Sequence, residues 1–161
     1  MGLSSIGQVV DCELEGRVRN YIWRKTPSQT TITGLWFDLS MSPGMPPPQY
    51  YIGGILTATQ LKQSTDGGIY HGTDVSPSEK YLRSITTQAN VTTALPMNAI
   101  LCDYLLFYPF IDEGTTDPQI TVNTNTLPRY TDGKGVQVMA VQTNAGTGGQ
   151  DFYFTYTNSD G

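Results

Sequence analysis

Two short runs near the carboxyl end decide the fold reading: Val136-Gln137-Val138-Met139-Ala140-Val141-Gln142 and Phe152-Tyr153-Phe154-Thr155-Tyr156-Thr157. The first sets Val136, Val138 and Ala140 against Met139 and Val141. The second sets Phe152, Phe154 and Tyr156 against Tyr153, Thr155 and Thr157. Alternation with a period of two marks a strand with two unlike faces. Between the runs lies the glycine-rich stretch Asn144 to Gly149, so the pair reads as a β-hairpin. Strand formers recur upstream. They occupy Val18 to Arg24 and Ile32 to Leu39, and Ile55 to Leu61 reads as strand or a short helical turn. They return at Ile69 to Gly72, at Tyr81 to Gln88, and at Ala99 to Phe110, the most apolar run. Asp66-Gly67-Gly68 is a turn signal, because Asp-Gly supports positive φ. About eight strands without a βαβ rhythm indicate an all-β fold, an antiparallel β-sandwich of jelly-roll type.

Composition agrees with that expectation. The chain has 161 residues, of which only 14% are charged and 38% hydrophobic, with 17 Gly, 10 Pro, 22 Thr and 10 Tyr. This excludes a long-helix bundle, which needs about half Ala, Glu, Lys, Leu and Arg. Abundant aromatic and β-branched residues argue against disorder. Residues 3–14 alone have helical spacing, with Ser4 or Ser5 as cap. The expected organisation is an amino-terminal arm with a short helix over 1–25 and a β-sandwich domain over 26–161. Ser42-Pro43-Gly44-Met45-Pro46-Pro47-Pro48 reads as an extended loop of polyproline-II character. The final Asn158-Ser159-Asp160-Gly161 is turn chemistry after a strand, so the full product is expected to continue beyond 161.

Nine basic and fourteen acidic residues give a net charge of −5. The excess lies in residues 101–161, where seven acids face Arg129 and Lys134. That balance speaks against a nucleic-acid partner. The exception is the basic run Arg17, Arg19, Arg24 and Lys25. It suits contact with an acidic partner surface or, alternatively, an edge protected from strand pairing. No membrane span is expected, since no apolar stretch approaches about 20 residues. Met1 to Ser5 lacks the positive segment of a signal peptide. Cys12 and Cys102 fit a reducing cytoplasm, with Cys102 read as a small buried hydrophobe and a Cys12–Cys102 disulfide left open.

Catalytic constellations are scarce, and no enzyme is expected. His71 is the single histidine. Asp66, Asp74 and Glu79 near it match no metal-ligand spacing, and it reads as a loop residue. Asp112, Glu113 and Asp117 could offer oxygen ligands to Ca²⁺, but they lack the spacing of a regular calcium loop and read as solvated. The 144–149 glycines lack the Lys-Ser/Thr of a phosphate loop. No cofactor and no metal site follow from the sequence. Asp103, inside Leu101 to Phe107, calls for a cationic partner, with Arg83 and Arg129 as the available guanidinium groups and a structural ion pair Asp103–Arg83 as the leading reading. Tyr50, Tyr51, Tyr70 and Tyr130 are candidates for an interface or a sugar-binding surface or, alternatively, for core packing at a sheet rim.

Several stretches resemble structural proteins of tailed bacteriophages. They are Arg24 to Thr30, Gly34 to Asp38, Asp66 to Gly72, Leu101 to Pro109 and Leu127 to Gly133. The resemblance spans roughly residues 20–161 and is to a loosely characterised group of virion components encoded among head and tail genes. It implies a structural virion component and does not by itself separate capsid from tail; the leading expectation is a capsid decoration or cement protein that binds the major capsid protein on the virion surface after assembly in the host bacterial cytoplasm. It also implies a homo-oligomer, for which a trimer is one form. The alternatives are a tail or neck component, or a host-glycan-binding β-module. The candidate interface residues are Arg17, Arg19, Arg24, Lys25, Pro46, Pro47, Pro48, Tyr50 and Tyr51.

Overall fold

The computed structural model describes residues 3–27, 30, 34–61, 67–73, 75–91, 98–143 and 151–157. The chain divides into two units, each made of two segments. The first comprises Met1–Pro48 and Gly67–Leu101, the second Gln49–Asp66 and Cys102–Gly161.

The first unit begins with helix α1, Ile6–Leu14. Its ends follow from the sequence. The Ser5 hydroxyl accepts the Gln8 N–H at 3.3 Å, and the Gln8 side chain reaches back to the Ser4 N–H at 2.6 Å. The first bond satisfies a donor that the first turn leaves without a partner, and the second is the return contact of a capping box displaced by one residue, to Ser4 ahead of the cap. At the other end Gly16 takes φ +66°. Gly16 N–H donates to Glu13 O and Arg17 N–H to Cys12 O, the paired bonds of a Schellman stop. Glu13 forms an ion pair with Arg83. Val9 and Cys12 are half-buried, whereas Ile6 and Leu14 are 84% and 81% exposed. Ile6, Val10 and Leu14 recur every four residues, so they share one stripe of the helix. Further along, strand β1, Arg24–Lys25, pairs antiparallel with β2, Gly44–Met45.

The second unit is built around residues 56–60. Strand β3, Thr59–Gln60, pairs antiparallel with β4, Leu106–Phe107, placing Thr59 opposite Phe107. On the other side Thr57 forms a parallel bridge with Val122. Leu56 N–H donates to Pro109 O at 2.9 Å, Val122 N–H to Leu56 O at 2.8 Å, and Ala58 N–H to Val122 O at 2.9 Å. The Ala58 carbonyl accepts Asn125 Nδ2 at 2.6 Å. Ala58 is 0% exposed. Tyr51 stacks against Phe107 with ring centroids 5.0 Å apart.

The expected jelly-roll β-sandwich is not present. Among the described residues there are two sheets of two strands each, one α-helix and a 3₁₀ turn at Leu39–Met41. Residues 136–142 and 152–157, expected as a hairpin, carry no strand. Neither does Tyr81–Gln88, and of Ala99–Phe110 only Leu106–Phe107 pairs. The reason is physical. Alternation specifies two faces of a segment but not a backbone partner, and a strand needs the partner. Among the described residues the apolar face finds no opposing layer, and Phe152 and Tyr156 remain 69% and 73% exposed. Cys102 is exposed rather than buried, and both cysteines are free thiols. The 144–149 loop and the terminal turn 158–161 lie outside the described residues.

A larger side chain at position 58 has no room between these paired segments. Overpacking typically costs about 1–3 kcal/mol. Ala58→Leu is therefore expected to lower stability by that amount, read as a lower urea midpoint at unchanged slope.

Candidate functional site

The sequence-derived interface residues converge in part on one place in the first unit. Lys25 lies on β1 facing the loop that leads into β2. Its ammonium donates to Ser40 O at 3.3 Å, Ser42 O at 3.1 Å and Pro47 O at 3.4 Å. It also sits 5.7 Å from the centre of the Trp23 ring, within cation–π range. Three carbonyls on one ammonium match its three donors. The loop closes around the lysine tip.

Its neighbours hold that geometry. Asp38 caps the 3₁₀ turn by accepting Ser40 N–H at 2.9 Å and Ser40 Oγ–H at 2.6 Å. Thr26 N–H donates to Pro43 O at 2.9 Å, continuing the β1–β2 pairing by one rung. Trp23 Nε1 donates to Gly67 O at 3.0 Å, which brings residue 67 of the same unit against β1. Gly44 has φ +144°, and a Cβ there would meet the Arg24 carbonyl oxygen at 2.0 Å. Only glycine lets the two backbones approach this closely. Burial holds the Lys25 pKa below the usual lysine value of 10.5, outweighing the Asp38 carboxylate, which acts the other way.

This arrangement redistributes the basic run. Lys25 is committed inward, and Arg17 pairs with Glu15. Arg19 and Arg24 are exposed and form no ion pair with a described residue. Among the prolines, Pro47 is exposed while Pro46 and Pro48 are half-buried. In the second unit Tyr50 is exposed, whereas Tyr51 is half-buried against Phe107. The ion pair expected between Asp103 and Arg83 is not formed. Asp103 takes Arg129, whose Nε and Nη2 reach the two carboxylate oxygens at 3.0 and 2.6 Å. Arg83 pairs with Glu13. Both members of the Asp103–Arg129 pair are about half exposed, so the pair contributes at most about 1 kcal/mol.

Comparison with known proteins finds no matching family model, no similar curated protein and no similar solved structure. His71 is exposed and lines a shallow pocket of about 300 Å³ with Ser76, Ser78 and Lys80. The Lys80 ammonium is bonded to the carbonyls of His71 and Thr73. The Asp112 carboxylate accepts the Gly114 N–H at 2.8 Å, an ordinary turn. Among the described residues no group of three or more His, Cys, Asp or Glu side chains could hold a metal ion.

Sequence reasoning found Lys25 but not its partners. The sequence reads Asp38 and Leu39 as the end of a strand and Ser42 to Pro48 as an extended loop, whereas Asp38 caps a 3₁₀ turn at Leu39–Met41. No sequence signal announces that the Ser40, Ser42 and Pro47 carbonyls will meet one ammonium.

Two outcomes are expected. Gly44→Ala should open the β1–β2 pairing, so that the Thr26 amide loses its hydrogen-exchange protection by NMR. The second concerns pH. Because the Lys25 pKa is lowered on folding, the unfolded chain binds more protons in the window between that lowered value and 10.5. Stability therefore rises with pH across this window, and the burial penalty stands in full below it. Lys25→Met should remove this slope, as read by urea unfolding at a series of alkaline pH values.

Proposed function

We propose that this chain is a structural protein of a tailed-bacteriophage particle. In this reading it acts as a decoration or cement protein that binds the major capsid protein on the outside of the head. The observation that carries the reading is the state of its apolar side chains. Among the described residues, the buried apolar side chains are those of Ala58, Leu105 and Pro109. Leu14, Trp36, Ile52, Phe110, Ile120, Phe152 and Tyr156 are among the many that stay exposed. Each large apolar side chain removed from water contributes about 1.5–3 kcal/mol. A chain with this surface gains its apolar burial from neighbours, and a particle shell provides them in repeated, closely spaced copies.

Three further features support the reading. Stretches such as Leu101 to Pro109 and Leu127 to Gly133 resemble those of tailed-phage virion proteins. The exposed Arg19 and Arg24 offer positive charge to an acidic partner within a chain of net charge −5. The Lys25 clamp fixes the course of the proline-rich loop, so that Pro47 is presented at low entropic cost. Copies of this chain are natural additional covers for the exposed residues, which is why a homo-oligomer belongs to the proposal. No catalytic step is assigned.

Copy number in purified virions tests the proposal. Quantitative mass spectrometry, normalised to the major capsid protein, should give a value on the order of one per capsid subunit, because a symmetric shell repeats each binding position. A stoichiometry far below this would point to the neck or tail.

A further inference from the structure

We propose that the second unit carries a binding groove for a neutral oligosaccharide, between β4 and the segment 123–127. The groove offers about 640 Å³ and is shallow and broadly open to solvent. Its walls come from both sides of the weave around Ala58. Leu106 and Tyr108 lie on and just beyond β4. Asn123, Asn125, Thr126 and Leu127 belong to the segment that follows the Val122 bridge, and Thr131 and Thr157 complete the rim.

The chemistry of this lining is selective. Not one of its residues carries a charge at neutral pH. An anionic or cationic ligand would lose its hydration without gaining a counter-charge, which is costly. A polyol loses hydroxyl–water bonds and regains them from neutral amides and hydroxyls, which is the exchange this surface offers. The donors and acceptors are also pre-set. Tyr108 O–H donates to Asn123 Oδ1 at 2.9 Å, which commits that oxygen and leaves the Asn123 amide N–H groups as donors and the phenol oxygen as an acceptor. Asn125 Nδ2 is held by the Ala58 carbonyl, leaving its Oδ1 to accept. The half-buried Leu106 and Leu127 provide apolar surface for the C–H face of a sugar ring. Fixed polar groups beside a small apolar floor bind without paying to order themselves.

The inference goes beyond the virion proposal and does not depend on it, because the groove is complete within the second unit. The test uses the purified full chain labelled with ¹⁵N. It is titrated separately with maltohexaose, cellohexaose and chitohexaose, and with a heparin hexasaccharide as the charged control. The expected result is saturable amide shifts at residues 106–108 and 123–131 with at least one neutral sugar and none with heparin. Asn123→Ala combined with Thr131→Val should weaken that binding about tenfold or more, from the loss of two or more hydrogen bonds. Thr131→Val alone, at an exposed rim position, should weaken it measurably even where the double variant disturbs folding. The proposal is overturned if none of the three neutral sugars binds, if heparin alone binds, if the shifts map to Tyr50 or Tyr70 instead, or if Thr131→Val binds as the parent does.

Discussion

Everything regular in the second unit depends on the backbone of Ala58. Its N–H is taken by Val122 and its carbonyl by Asn125, while its neighbours Leu56 and Thr59 reach Pro109 and Phe107. Buried peptide groups need partners, and here each is supplied from a different stretch of chain. A methyl side chain is what allows two strands of backbone to close on it from both sides. The Tyr51–Phe107 contact and the groove below Tyr108 inherit their positions from this one point. The stabilisation is mainly hydrogen bonding in a setting of little apolar burial. Net gains per bond are near 1 kcal/mol, so the arrangement has small reserves.

The first unit solves a similar problem with a cation. A proline-rich loop has few N–H donors and many carbonyls, so it cannot satisfy itself through a ladder. Lys25 answers three of those carbonyls at once, and Trp23 covers the ammonium. The basic run thus has two roles. One residue organises the chain internally, and the exposed arginines remain on the surface. Charge counting cannot separate these roles, because it weighs Lys25 and Arg24 equally although they are adjacent and point to opposite fates.

What could be read from the sequence was local. Helix α1, its Ser5 cap and its glycine stop depend on residues within four positions of each other, and they form where the spacing places them. The need of Asp103 for a guanidinium was legible, but the choice of Arg129 over Arg83 was not, because it is set by tertiary path. The all-β reading failed for the same reason. Alternation in Val136–Gln142 and Phe152–Thr157 describes side-chain polarity, whereas a sandwich needs register with a partner and a facing layer. Asn123 and Asn125 were invisible in a polar connection, since nothing local distinguishes an asparagine that closes a weave from one that faces water.

The order in which the ribosome makes this chain adds a further consequence. Residues 56–60 leave the exit tunnel long before 106–109 and 122–125, the stretches that complete their bonding. Each unit is likewise interrupted by a segment of the other. Domains ordinarily fold during synthesis, amino-terminal parts first. Here the second unit waits until most of the chain exists, with unpaired backbone and apolar side chains exposed for that interval. A pause in translation downstream of residue 60 therefore prolongs the interval in which residues 56–60 lack the stretches that complete their bonding.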